Sequence, residues 1–82
     1  MIIRRKIRRA IDGDTLETVT RIRGVNYIRI AGMDAPEKGK RGYTAAKRKL
    51  DKLRGKTITL IPKGRSYNRI VADVRYKRKK IR

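Results

Sequence analysis

Tyr43-Thr44-Ala45-Ala46-Lys47-Arg48-Lys49-Leu50-Asp51-Lys52-Leu53-Arg54 is the stretch where the hydrophobic period changes. Ala46, Leu50 and Leu53 recur at i, i+4 and i+7, which is one face of a helix. Lys47, Arg48, Lys49 and Lys52 point away from that face. Gly55 follows as a C-terminal cap, because glycine enters the left-handed backbone region without a Cβ penalty. The segment predicts a helix over 43–54.

The sequence on either side reads as strands. Residues 1–12 place Ile3, Ile7 and Ile11 four apart, a spacing that also fits a helix. The β-branched residues and the Asp12-Gly13-Asp14 turn decide for a strand. Thr15, Thr18, Val19, Thr20 and Ile22 mark a second strand, broken at Gly24. Residues 25–31 set Ile28 and Ile30 on one face and Tyr27 and Arg29 on the other, a third strand. The loop from Gly32 to Gly42 holds Pro36. After the helix, Lys56–Ile61 is a short strand stopped by Pro62-Lys63-Gly64. Ile70, Ala72, Val74 and Tyr76 alternate with Arg69, Val71, Asp73 and Arg75 in a fifth strand. The order βββαββ predicts a β protein with one helix, a small five-stranded Greek-key barrel of the OB type. Closing the sheet removes most of the strand edges that an open one would expose. Residues 1–76 form the domain, and 77–82 a basic C-terminal tail.

Charge points to the partner. Among 82 residues Lys and Arg number 26 and Asp and Glu 7, a net charge of +19. Such a surface attracts polyanions, and nucleic acid is the commonest. Four tyrosines and no Trp or Phe leave little base stacking. Backbone contacts should dominate and sequence preference should be low. No Cys and no His rule out disulfides, zinc fingers, thiol nucleophiles and histidine acid–base chemistry. Metal ligands must be oxygens, so a bound ion should be hard: Ca²⁺, Mg²⁺ or Mn²⁺. No apolar run approaches the roughly 20 residues that span a bilayer. No membrane role is expected. The start lacks the apolar region of a signal peptide, so a cytoplasmic location is expected, with secretion from a longer precursor left open.

Four of the seven acids fall in two motifs: Asp12 and Asp14 in Ile11-Asp12-Gly13-Asp14-Thr15, and Asp34 and Glu37 in Asp34-Ala35-Pro36-Glu37. If the first and third strands are neighbours, both motifs sit at strand ends and converge. Converging carboxylates repel one another and would repel phosphate. A hard cation between them resolves both problems. The plainer reading is that these acids pair with nearby Lys and Arg. Arg29, on the strand that delivers Asp34, and Arg69, opening the last strand, suit bidentate phosphate recognition and transition-state charge.

In order, Ile11-Asp12-Gly13-Asp14-Thr15, then Tyr27-Ile28-Arg29-Ile30-Ala31-Gly32-Met33-Asp34-Ala35-Pro36-Glu37, Tyr43 with Ala45-Ala46, Gly55–Leu60 and Tyr67-Asn68-Arg69 resemble the staphylococcal nuclease (thermonuclease) family. The resemblance runs from about residue 7 to 76. It implies a Ca²⁺-dependent OB-fold nuclease that hydrolyses DNA and/or RNA, preferably single-stranded. On the matching positions Asp14, Asp34 and the backbone carbonyl of Ala35 would hold one calcium ion. Glu37 would act as general base or orient the attacking water. Arg29 and Arg69 would grip the phosphate, Asp12 would stand behind the metal ligands, and Tyr67 would lie beside the nucleotide phosphate. Ala35 replaces the family's usual Thr, Ser66 stands where the prototype has Lys, and the loop after Glu37 is short. The family's C-terminal helices are also missing. That leaves three options: a minimal active barrel, a weak enzyme, or one whose exposed face a dimer or partner covers. The alternative is a non-catalytic OB-fold module that binds nucleic acid along the same basic groove.

Overall fold

The computed structural model describes residues 2–81, and six strands and one helix follow in chain order. They are β1 (Ile3–Asp12), β2 (Thr15–Ile22), β3 (Val25–Ile30), α1 (Tyr43–Asp51), β4 (Thr57–Ser66), β5 (Arg69–Tyr76) and β6 (Lys79–Ile81). The sheet runs β3-β2-β1-β4-β5-β6, and β3 also pairs with β5. That extra pairing closes β1 to β5 into a five-stranded barrel. It is parallel, with Tyr27 opposite Arg69 and Ile30 opposite Ala72, whereas every other pairing is antiparallel.

Alternation along the strands fills the barrel. Ile7, Leu16, Ile28, Ile30, Ile58, Leu60 and Val74 are fully buried in one cluster with Ala10, Ile70 and Ala72. Burying each such branched side chain favours folding by about 1.5–3 kcal/mol. Leu50 and Leu53 bring the helix onto the same cluster. Its expected extent of 43–54 is too long. The helix ends at Asp51, and Leu53 and Arg54 continue in tighter turns through bonds to the Leu50 and Asp51 carbonyls. The chain then bends at Gly55 (φ +77°) and bonds to Ile7 of β1. Leu53 is therefore buried without belonging to the helix.

Two further expectations need correction. Pro62 does not stop β4, which runs on to Ser66. The register slips between Pro62 opposite Ala72 and Gly64 opposite Val71. Lys63 is the extra residue of this bulge, and a bulge is where a strand tolerates proline. The basic tail is not free chain either. Lys79–Ile81 folds back as β6 against Val74–Tyr76, and Ile81 packs on the core. Met1 and Arg82, which fall in the expected first strand and tail, lie outside the described residues. The tip of this last hairpin, Lys77-Arg78, has positive φ at both residues (50° and 66°). That is the pattern of a type I′ turn, in which glycine or asparagine is usual. Side chains there cost roughly 1–2 kcal/mol per residue. Among the described residues no helix is long and apolar enough to cross a membrane.

Candidate functional site

The first and third strands are not neighbours, because β2 lies between them. The acidic motifs meet all the same, by another route. Asp14 stands where β1 turns into β2, beside the end of β3: the Ile30 amide donates to the Asp14 carbonyl at 2.8 Å. The chain leaves β3 through Ala31, whose amide is held by the Ala72 carbonyl of β5 at 2.8 Å, and enters the Asp34–Glu37 loop. Gly13 is the contact point of the two motifs. A Cβ built on it would lie 2.8 Å from the Cβ of Ala35 and 2.8 Å from that of Ala46. Only a residue without a side chain lets the turn, the loop and the helix approach this closely.

The outcome is a cavity of about 400 Å³. Its walls include Asp12 and Asp14 from the turn, Asp34, Ala35 and Glu37 from the loop, and Arg29 and Arg69 from β3 and β5. Every residue expected at the site lines it except Tyr67. That residue tops the β4–β5 turn, 92 % exposed, at φ +54°, and is not part of the cavity wall. A two-residue turn forces the side chain outward there, away from the cavity.

By register the arginines lie diagonally across the β3–β5 pair, offset by two residues. Arg29 sits opposite Thr15 on β2, and Arg69 sits opposite Tyr27 on β3. Each is loosely engaged. Arg29 Nε lies 3.8 Å from Asp14 Oδ2, and Arg69 Nη1 donates to Thr15 Oγ1 at 3.4 Å. Most of their donors have no partner among the described residues and can meet an anion. Thr15, 2 % exposed, donates in turn to Asp14 Oδ1 at 2.9 Å. It thus links the carboxylate to Arg69, a link that its sequence position beside Asp14 does not reveal. Tyr43 and Lys38 also line the wall. The Tyr43 hydroxyl donates to Asp12 Oδ1 at 2.9 Å, and this bond, with burial, raises the phenol above its ordinary pKa.

Four carboxylates and three cations therefore share one concavity in a chain of net charge +19. The carboxylates are oxygen donors, which suits a hard cation. Among the described residues no three acidic side chains form a cluster able to hold a metal unaided. An ion here would rest on two carboxylates, a carbonyl and water. Compared with known proteins, the chain matches no family model and no curated protein.

Proposed function

We propose that this chain is a metal-dependent phosphodiesterase that hydrolyses nucleic acid with low sequence specificity. The observation that carries the reading is the single cavity walled by Asp14, Asp34, Glu37, Arg29 and Arg69. The motif resemblance to the staphylococcal nuclease family adds to it, as does the charge of +19. A structural pairing of acids with bases would not need two acid motifs and two arginines around one open space.

In this proposal Asp14, Asp34 and the Ala35 carbonyl would hold one Ca²⁺, or another hard divalent ion. When bound, such an ion would supply positive charge to offset the phosphate and to polarise water. Arg29 and Arg69 bind the two unesterified phosphate oxygens and stabilise the charge that grows on them. Asp14 and Thr15 tether the arginines in position before substrate arrives. Glu37, exposed on its loop, takes the proton of the attacking water or orients it. Asp12, held by Tyr43, keeps the turn that presents Asp14.

The test is cleavage of single-stranded DNA and of RNA by the purified chain, with Ca²⁺ and with EDTA. Cleavage that requires the divalent ion supports the reading. Binding without cleavage in either condition overturns it in favour of a non-catalytic binding module.

A further inference from the structure

A second groove, of about 660 Å³, lies on the outer face of the sheet. It is lined by Arg4 of β1, Thr57 and Thr59 of β4, and Arg75, Lys77 and Arg78 at the end of β5 and its turn. None of these residues lines the cavity described above. Register explains their grouping. Arg4 pairs with Thr59, Thr59 with Arg75, and Arg75 with Lys80, one row across four strands. Lys6 pairs with Thr57 in the next row.

The face is built of unneutralised cations. Arg4, Lys6, Arg75, Lys77 and Arg78 are exposed, and among the described residues none of them forms an ion pair. Arg4 and Arg75 stand two strand spacings apart, about 10 Å. That is just beyond the screening length of about 8 Å at physiological salt, so repulsion along the row is weak there and grows as salt is lowered. Threonines, whose hydroxyls donate to phosphate oxygens, separate the charges. Lys77 and Arg78 occupy left-handed backbone positions where a neutral glycine or asparagine would cost less. A surface that gathers cations without ion-pair partners and accepts backbone strain at its edge is suited to an external polyanion.

We infer that this sheet face, with Arg4, Lys6 and Arg75 at its centre, is a second binding surface for the phosphate backbone of a nucleic-acid strand. The inference goes beyond the hydrolytic reading, because it requires no cleavage. Exposed Lys6 and Arg8 continue from Arg4 along β1, and β1 ends at Asp12 on the cavity wall. Eight residues of strand separate Arg4 from Asp12, roughly 26 Å. At the duplex rise of about 3.4 Å per nucleotide, a strand touching both ends needs about eight nucleotides, and fewer when it is stretched. Dinucleotides reach one end only.

The experiment uses the full chain and a fluorescent 16-nucleotide single-stranded DNA in EDTA. Binding is measured against salt for the wild type, for Arg4→Gln/Lys6→Gln/Arg75→Gln, and for Arg48→Gln/Lys49→Gln/Lys52→Gln at the C-terminal end of the helix and its cap. Both variants remove three charges. The sheet variant should bind about tenfold more weakly, with a salt slope shallower by about 2, from three contacts at roughly 0.7 each. The helix variant should lose less and keep the slope. Equal losses, or no loss in the sheet variant, overturn the inference. Arginine modification by phenylglyoxal in the wild type gives a second readout. Arg4 and Arg75 should be shielded by the 16-mer and not by a dinucleotide, and absence of shielding overturns the inference even where a variant misfolds. Failure of the wild type to cleave with Ca²⁺ would sink the hydrolase reading and leave these binding results standing.

Discussion

The hydroxyl of Tyr43, the first residue of α1, donates a hydrogen bond to the carboxylate of Asp12 across 2.9 Å. The bond joins residues 31 positions apart and pins the helix to the turn that carries two of the site's acids. The phenol is raised above its ordinary value of 10.0, chiefly by this bond. A raised folded pKa means the protonated form is favoured by folding. The contribution is complete below the unfolded value and is lost as pH climbs through the folded one. Tyr43→Phe should therefore lower the melting temperature at pH 7 and leave little difference from wild type once the phenol has ionised in alkali. Thermal melts of both proteins across that range check this; a difference that grows with alkali contradicts it.

Gly13→Ala should be destabilising out of proportion to one methyl group. The new Cβ meets two others at 2.8 Å, and forcing carbon into packed space costs typically about 1–3 kcal/mol. Relief requires the Asp12–Asp14 turn to part from the Asp34–Glu37 loop. Denaturant unfolding reads the loss. Ala46→Gly in the same chain removes one of the two obstructing methyls and should recover part of it.

Glu37→Gln should slow turnover by roughly 10²–10⁴-fold, the usual worth of general-base assistance, with affinity for single-stranded DNA nearly unchanged. Arg69→Ala should lower both, since it removes the phosphate grip. Cleavage and EDTA binding assays on the same variants separate the two effects.

Asp51 supports the barrel from the helix. It accepts from the Ala10 amide at 3.0 Å, beside the β1 bulge, and pairs with Arg54. The Ala10 bond in particular holds its carboxyl below the ordinary value of 3.8. Its stabilisation is present above the unfolded value and disappears as acid protonates the folded group. Asp51→Asn should cost about 1 kcal/mol at pH 7, less than for a buried carboxylate because the side chain is one-third exposed. At a pH below both values the variant and wild type should unfold alike. Urea titrations at the two pH values measure this.

Salt or polyanion should raise the melting temperature. A charge of +19 on 82 residues opposes the compact state, and screening or neutralisation relieves it. A heparin or sodium chloride series read by circular dichroism checks this, and a melting temperature unchanged across the series contradicts it.

Much of the architecture is legible in the sequence because the apolar residues of several elements keep a single period. Ile28 and Ile30, or Ile70, Ala72 and Val74, alternate cleanly and are buried as expected. What eludes a reading by period is set by pairing. Lys79-Lys80-Ile81 has no strand pattern of its own and becomes β6 only because β5 offers an edge. Pro62 reads as a stop because the bulge that accommodates it depends on the partner strand. At the site, Asp14, Asp34, Glu37, Arg29 and Arg69 stand out as charges of unusual placement. Tyr67 and Thr15 do not follow suit. A turn conformation sends the first outward, and the second acts through a neighbour on another strand.

One edge of β5 is divided between two partners. Arg69–Ala72 meets β3, and Val74–Tyr76 meets β6. During vectorial synthesis, then, no shorter nascent chain can seal the barrel: β3 is made early and waits for a segment about forty residues downstream. Seam closure joins distant parts of the polypeptide, which makes for slow, cooperative folding. Until then the exposed margin of β3 is the part of the molecule most open to a chaperone or to a neighbouring unfinished copy.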